Sequence, residues 1–111
     1  MPQPSKFAVV YRFRVRAGDE DRFRRAWARL TEAIRDERGG LGSRLHRADD
    51  GTWVAYAQWP DRATWERSRA SESADPRASA ELAETLEESL PPLPLEPWID
   101  LLEPATVEGP E

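Results

Sequence analysis

Residues 7–16, FAVVYRFRVR, constrain the fold more than any other stretch, because their apolar side chains recur at every second position. One face of this segment holds Phe7, Val9, Tyr11, Phe13 and Val15. The other face holds Ala8, Val10, Arg12, Arg14 and Arg16. Alternation over ten residues rich in aromatic and β-branched types predicts a strand with one apolar face.

The next segment changes to helical spacing. Its apolar side chains recur three or four positions apart, at Phe23, Trp27, Leu30 and Ile34. Asp19 is the predicted N-cap, and the Gly39–Gly40 pair is a strong stop signal. These features predict an amphipathic helix over residues 20–38 that lies on a sheet.

Residues 42–48 and 52–59 are typical of a hairpin, because ADDGT between them contains the turn dipeptide Asp-Gly. The register is open at this point. A two-residue loop pairs Ala48 with Trp53, whereas a bulged loop pairs Ala48 with Thr52. The choice decides which face the single histidine, His46, shares with Trp53, Tyr56 and Trp59.

Two more helical segments and a strand follow. Asp61 is the predicted cap of a second helix, and Asp75 with Pro76 restarts that helix. The second helix is predicted to reach Leu90, because apolar residues recur at helical spacing, at Ala78, Leu82, Leu86 and Leu90. Residues 95–107 predict a last strand of roughly eight residues, at a sheet edge because Pro97 has no N–H.

The order β-α-β-β-α-β predicts an α+β fold, the ferredoxin-like arrangement with both helices on one face of an antiparallel sheet. The opposite face includes Val10 and either Trp98 and Leu102 or Ile99 and Leu101. No third helix remains to cover it, so we expect a second copy to do so in a homodimer. We expect one domain over residues 1–111, with a core at 7–103 and a polar tail at 104–111.

Composition narrows the classes of partner. The net charge of −5 disfavours a nucleic-acid partner, and the missing stacking motif disfavours an RNA-binding module. The chain has no cysteine and one histidine, so no metal site is expected. No apolar run approaches a membrane span or a signal peptide, and we expect a cytoplasmic protein with no membrane partner.

Element order and the passage GGLGSRLHRADDGTWVAYAQWPDRATWE together resemble the antibiotic biosynthesis monooxygenase (ABM) domain family. The resemblance covers roughly residues 7–103 and includes the pattern W-P-D-x-x-x-W. It implies a dimeric α+β barrel. It also implies a cofactor-independent monooxygenase that oxidises a quinol, an anthrone or a similar aromatic substrate with O₂. The alternative is a non-catalytic dimer of the same fold that binds a small ligand or has a structural role.

Another branch of that family degrades haem, and the chain departs from its pattern. The essential asparagine of that branch falls opposite Tyr11, its essential tryptophan near Ser68, and its haem-ligating histidine near Ala78. None of the three residue types is present at these positions. Haem degradation by the mechanism of that branch is therefore not expected, and no cofactor is predicted.

Oxygenation without a cofactor needs a dry pocket for a flat ring and a base or hydrogen-bond donor for its oxygen. Tyr11, on the face where the resemblance places the pocket, and His46, which titrates near neutral pH, are the candidate catalytic residues. The candidate substrate-binding residues are Trp27, Tyr56, Trp59 and Trp65. For each of these aromatic residues a packing role is the alternative, and for His46 a role at the dimer interface.

Overall fold

A computed structural model describes residues 6–103. Its elements are β1 (Phe7–Val15), α1 (Glu20–Glu37), β2 (Ser43–Arg47), β3 (Trp53–Trp59), α2 (Arg62–Ala70), α3 (Pro76–Glu84), β4 (Leu86–Ser89) and β5 (Leu93–Leu95). All strand pairs are antiparallel, in the order β2-β3-β1-β4, with β5 also paired to β1. The α+β class and the ferredoxin-like strand order are confirmed. In the single chain this sheet is open rather than closed into a barrel.

The helices cover the face of the sheet that the alternation of β1 predicts. One core cluster joins Trp65 of α2 to the sheet residues Phe7, Val9, Ala57 and Trp59. The other joins Phe23 of α1 to Phe13, Trp53 and Ala55. Tyr11 packs against both clusters, so its side chain lies at the centre of the helix-covered face.

The β2–β3 hairpin adopts the bulged register. The Ala48 N–H donates to the Thr52 carbonyl at 2.8 Å, and the Gly51 N–H donates to the Ala48 carbonyl at 2.9 Å. Gly51 has φ +90°, which only glycine adopts without strain. His46 therefore pairs with Val54, and both side chains point away from the helices.

Asp61 and Asp75 cap their helices as predicted. The Asp61 carboxylate accepts from the Thr64 N–H at 2.8 Å, and the Asp75 carboxylate accepts from the Ala78 N–H at 3.0 Å. Asp19 occupies the N-cap of α1 but makes no capping hydrogen bond with its side chain.

The predicted boundaries after residue 84 are wrong. α3 ends at Glu84, and Thr85, fully buried, accepts from the Arg16 N–H through its carbonyl. The chain then reverses into β4, where Leu86 pairs with Val15 and packs against the core. Leu86 does so although its position continues the helical spacing of Ala78 and Leu82. The predicted strand from residue 95 is also absent over 96–103, because β4 and β5 already occupy that edge of β1.

The apolar side chains of that last segment are instead exposed, between 80% and 91%, at Trp98, Ile99, Leu101 and Leu102. The predicted polar tail, residues 104–111, lies outside the described residues. Over residues 6–103, no helix is both long enough and apolar enough to cross a membrane.

Candidate functional site

An apolar cavity of about 170 Å³ lies between α1 and the sheet. It exists because small residues leave room there: Ala57 lies on the sheet, and Gly40 and Gly42 lie in the loop before β2. A Cβ on Gly40 would lie 3.0 Å from the Ile34 side chain. Since an apolar cavity of about 150 Å³ holds a benzene molecule, this cavity has room for an aromatic ring. Its other walls are Tyr11, Phe13, Trp27, Leu30, Thr31, Ile34, Ser43, Gln58, Trp59 and Leu82.

A second cavity, of about 310 Å³, adjoins the first and is more polar. Both are lined by Tyr11, Leu30, Ile34 and Trp59. The second extends to α2 and the loop before α3, where it is lined by Trp65, Ser68, Arg69, Ser71, Glu72, Ser73, Ala74 and Ser79. Together the cavities have the volume of a small-molecule site, roughly 300–1,000 Å³.

Tyr11 lines both cavities, and its phenolic oxygen accepts a hydrogen bond from the Trp65 indole N–H at 3.0 Å. Burial raises the pKa of Tyr11, and the Trp65 hydrogen bond, the Arg69 charge and the nearby Trp59 N–H offset this only in part. The phenol therefore keeps its proton at neutral pH. No acceptor for that proton lies among the described residues, so the hydroxyl can donate to a ligand.

The Trp59 indole N–H is a second donor at the same wall. Trp59 is only 4% exposed, and its Nε1 makes no hydrogen bond of normal geometry with the described residues, although it lies close enough to Tyr11 to lower the pKa of the phenol. A buried donor left without any partner costs about 1–3 kcal/mol, and a ligand oxygen would recover part of that cost. Tyr11 and Trp59 thus offer two polar hydrogens at a wall shared by both cavities.

The raised pKa of Tyr11 predicts a late titration. In a Tyr56→Phe variant Tyr11 is the sole tyrosine, and its ionisation, followed by absorbance near 295 nm, should have a midpoint above the ordinary value of 10.0. Denaturant should return the midpoint to that value. A midpoint at or below it in the folded protein would contradict the desolvated environment.

The same shift predicts a loss of stability at high pH. The folded state holds the Tyr11 proton more tightly than the unfolded state, so its contribution is complete below pH 10. It decreases as the pH rises from there towards the folded-state pKa. Tyr11→Phe should remove this part of the alkaline decrease in the free energy of unfolding, measured by urea titration between pH 8 and 11.

The structure places four of the six predicted site residues around these cavities. Trp27 lines the first cavity, Trp65 the second, and Tyr11 and Trp59 line both. Arg69 was not among the predicted site residues; it lies one helical turn after Trp65 and stacks on it, 4.9 Å from the ring centroid. Its signal was the i, i+4 spacing on α2.

His46 and Tyr56 lie on the opposite face of the sheet. The His46 Nδ1 lies 3.2 Å from the Val54 carbonyl, and its Nε2 accepts from the Arg44 Nε at 3.0 Å. Tyr56 is half-buried and pairs with Val10 on the uncovered face. Neither residue lines either cavity. Over residues 6–103 no cluster of three or more histidine, cysteine or acidic side chains could hold a metal ion.

Solved structures similar to this chain share its fold. SnoaB from Streptomyces nogalater, described as a cofactor-independent oxygenase, aligns with TM-score 0.73 at 22% identity, over 88% of this chain and 98% of its own. Rv0793 from Mycobacterium tuberculosis aligns with TM-score 0.69 at 22% identity, over 88% and 100%. A putative antibiotic biosynthesis monooxygenase from Bordetella bronchiseptica aligns with TM-score 0.70 at 18% identity, over 87% and 99%.

The sequence itself adds a family assignment. No curated protein matches it. Residues 6–76, which include β1, α1, the hairpin and α2, match the family described as antibiotic biosynthesis monooxygenase. Since this match extends over more than half of the 111 residues, the chain belongs to the antibiotic biosynthesis monooxygenase family.

Proposed function

We propose that this protein is a cofactor-independent monooxygenase that oxidises a quinol, an anthrone or a similar aromatic substrate with O₂. The observation that carries the proposal is the pair of free hydrogen-bond donors, the Tyr11 hydroxyl and the Trp59 indole N–H, at the wall of an apolar cavity. Trp27 contributes an aromatic wall to the same cavity. The description of SnoaB as a cofactor-independent oxygenase supports the same reaction class.

The proposed reaction needs no electrons beyond those of its two substrates. A substrate CH₂ flanked by aromatic rings, as in an anthrone, first loses a proton to water and gives a delocalised oxyanion. The anion transfers one electron to O₂, and the resulting radical and superoxide combine into a peroxide with a new C–O bond. Cleavage of the O–O bond and loss of the second C–H proton leave a carbonyl. One oxygen atom enters the product and the other leaves as water.

Tyr11 and Trp59 act in this scheme on the substrate oxygen. Two donors fixed at the wall of an apolar cavity stabilise the oxyanion without having to reorganise, which favours its formation. Because its pKa is raised, Tyr11 is a donor of hydrogen bonds and protons at neutral pH rather than a base. The Tyr11 hydroxyl can then protonate the departing peroxide oxygen.

The test is oxygen uptake by the purified protein, without added cofactor, over a panel of anthrones, naphthols and quinols. Saturable uptake is expected. Tyr11→Phe should lower kcat by about 10²–10³, the typical effect of removing one oxyanion donor. Trp59→Phe should have a similar effect.

Tyr56→Phe is the matched control, because it removes the other phenolic hydroxyl of the chain on the opposite face. Tyr56→Phe and His46→Ala, each tested alone, should leave kcat unchanged. A loss of uptake in His46→Ala but not in Tyr11→Phe would refute the proposed site. Ligand binding without uptake for the whole panel would favour the alternative, a non-catalytic dimer that binds a small aromatic molecule.

We also propose that the chain forms a homodimer through the uncovered face of the sheet. Half-buried or exposed apolar side chains cluster there, at Val10, Val54, Tyr56, Leu93 and Leu95. The 98–102 segment exposes four further apolar side chains, and exposed apolar surface of this kind is typical of a protein–protein contact. His46 belongs to this face and would lie at the interface. A cytoplasmic location stays a prediction of the sequence.

A further inference from the structure

The second cavity joins a cation, hydroxyl groups and the phenol of the proposed site. Its aromatic wall is Trp65, which contacts both Tyr11 and Arg69. The Trp65 indole N–H donates to the Tyr11 oxygen at 3.0 Å, and the Arg69 guanidinium stacks on the Trp65 ring, 4.9 Å from its centroid. The Arg69 charge reaches Tyr11, since it acts to lower the pKa of the phenol.

Arg69 is exposed and stacks on Trp65. Six arginines of the described residues lie within 4.0 Å of a carboxylate, and Arg69 is one of the nine that do not. It is also the only arginine in the walls of the two cavities described above. A guanidinium restrained on an aromatic ring keeps its planar fork of N–H donors free for a carboxylate.

The other polar groups of this cavity are four hydroxyl groups, which suit a hydrated substituent, and one carboxylate, which opposes an anion. Ser68, Ser71, Ser73 and Ser79 line it with hydroxyl groups. Of these, the Ser71 hydroxyl donates to the Arg67 carbonyl, and Ser73 and Ser79 are hydrogen-bonded to each other. Glu72 is the single carboxylate of the lining, and the Arg38 guanidinium donates to its backbone carbonyl at 3.0 Å.

We propose that the second cavity is a subsite for a carboxylate on the aromatic ligand, and that Arg69 is the residue that selects for it. The ring occupies the apolar cavity with its phenolic oxygen near Tyr11 and Trp59, and the carboxylate extends past Tyr11 to the Arg69 guanidinium. This assignment rests on the proposed function for the identity of the ring. It adds that the substrate class is the aromatic carboxylic acids that also carry a phenolic oxygen.

The position of Arg69 in the last turn of α2 offers a second explanation, because a cation there interacts favourably with the helix dipole. Arg67 separates the two explanations. It lies in the same turn of α2 and has the same charge, but it does not line the cavity and donates instead to the Thr64 hydroxyl. Arg67→Gln is therefore the matched control for Arg69→Gln.

The experiment measures equilibrium binding by calorimetry at about 0.1 M salt, where screening is moderate. The ligands are 6-hydroxy-2-naphthoate, its neutral carboxamide and 2-naphthol. In the wild type the carboxylate should bind about tenfold or more tightly than either neutral ligand, the effect of one charge-assisted hydrogen-bonded pair. Arg69→Gln should abolish this preference, Arg69→Lys should keep part of it, and Arg67→Gln should keep it whole.

Glu72→Gln should strengthen binding of the carboxylate only, since it removes the one like charge of the lining. Equal binding of the three ligands to the wild type, no binding of any, or an unchanged preference in Arg69→Gln would each overturn the assignment. Binding is independent of turnover. Carboxylate preference without oxygen uptake would refute the proposed oxygenase and leave the Arg69 subsite standing. Oxygen uptake without carboxylate preference would refute the Arg69 subsite and leave the proposed oxygenase standing.

Discussion

Replacing Phe23 by alanine is expected to lower the free energy of unfolding by about 3–5 kcal/mol, the cost typical of removing a buried phenylalanine. Phe23 is fully buried at the centre of one core cluster. Its ring centroid lies 5.5 Å from that of Phe13 and 5.4 Å from that of Trp53. Because it anchors α1 to β1 and β3, its truncation leaves a cavity between helix and sheet. A loss of that size is a large part of the free energy of unfolding of a typical domain, which is roughly 5–15 kcal/mol.

Urea unfolding followed by circular dichroism and by tryptophan fluorescence measures this loss. Phe23→Leu, which keeps most of the volume, should cost less than about 1.5 kcal/mol. Arg25→Ala, at an exposed position of the same helix, should change the free energy by no more than about 0.5 kcal/mol. A loss below about 1 kcal/mol for Phe23→Ala would mean that α1 is not anchored at this position.

Replacing Val10 by aspartate is expected to convert the proposed dimer into monomers. Val10 lies on the uncovered face between Tyr56 and Leu93, with Arg12 as its neighbour on the same face of β1, so the dimer would bury two new carboxylates, one from each chain. Removing a carboxylate from water costs several kcal/mol, which attraction to a nearby cation offsets only in part. The dimer dissociation constant should therefore rise by at least about a hundredfold. In the separate chain Val10 is partly exposed, so the fold should tolerate the change.

Sedimentation equilibrium over a range of protein concentrations measures this dissociation, and circular dichroism reports whether the fold is kept. Val10→Thr has nearly the same shape without the charge and should weaken the dimer far less. Two results would count against the proposed interface: a wild type that is monomeric at tens of micromolar, or a Val10→Asp variant that remains a dimer.

The sequence alone determined those features that depend only on residues close to one another along the chain. The alternation at residues 7–16 predicted β1 and the face that it buries, because successive side chains of a strand point to opposite sides. The carboxylates of Asp61 and Asp75 predicted two helix starts, since a cap needs only the backbone N–H groups of the next turn. The Asp-Gly turn predicted the hairpin, and the order of these elements predicted the fold class.

Tertiary pairing decided what local spacing leaves ambiguous. Leu86 continues the helical spacing of α3, yet it lies in β4, because β1 still had an unpaired edge that a strand could complete. The hairpin register was decided by the hydrogen bonds around Gly51, and with it the separation of His46 from the cavity. The candidate site depends most on tertiary packing, since Tyr11, Trp59 and Trp65 belong to three different elements. Their polar groups converge only when α2 packs on the face of the sheet that holds Tyr11 and Trp59.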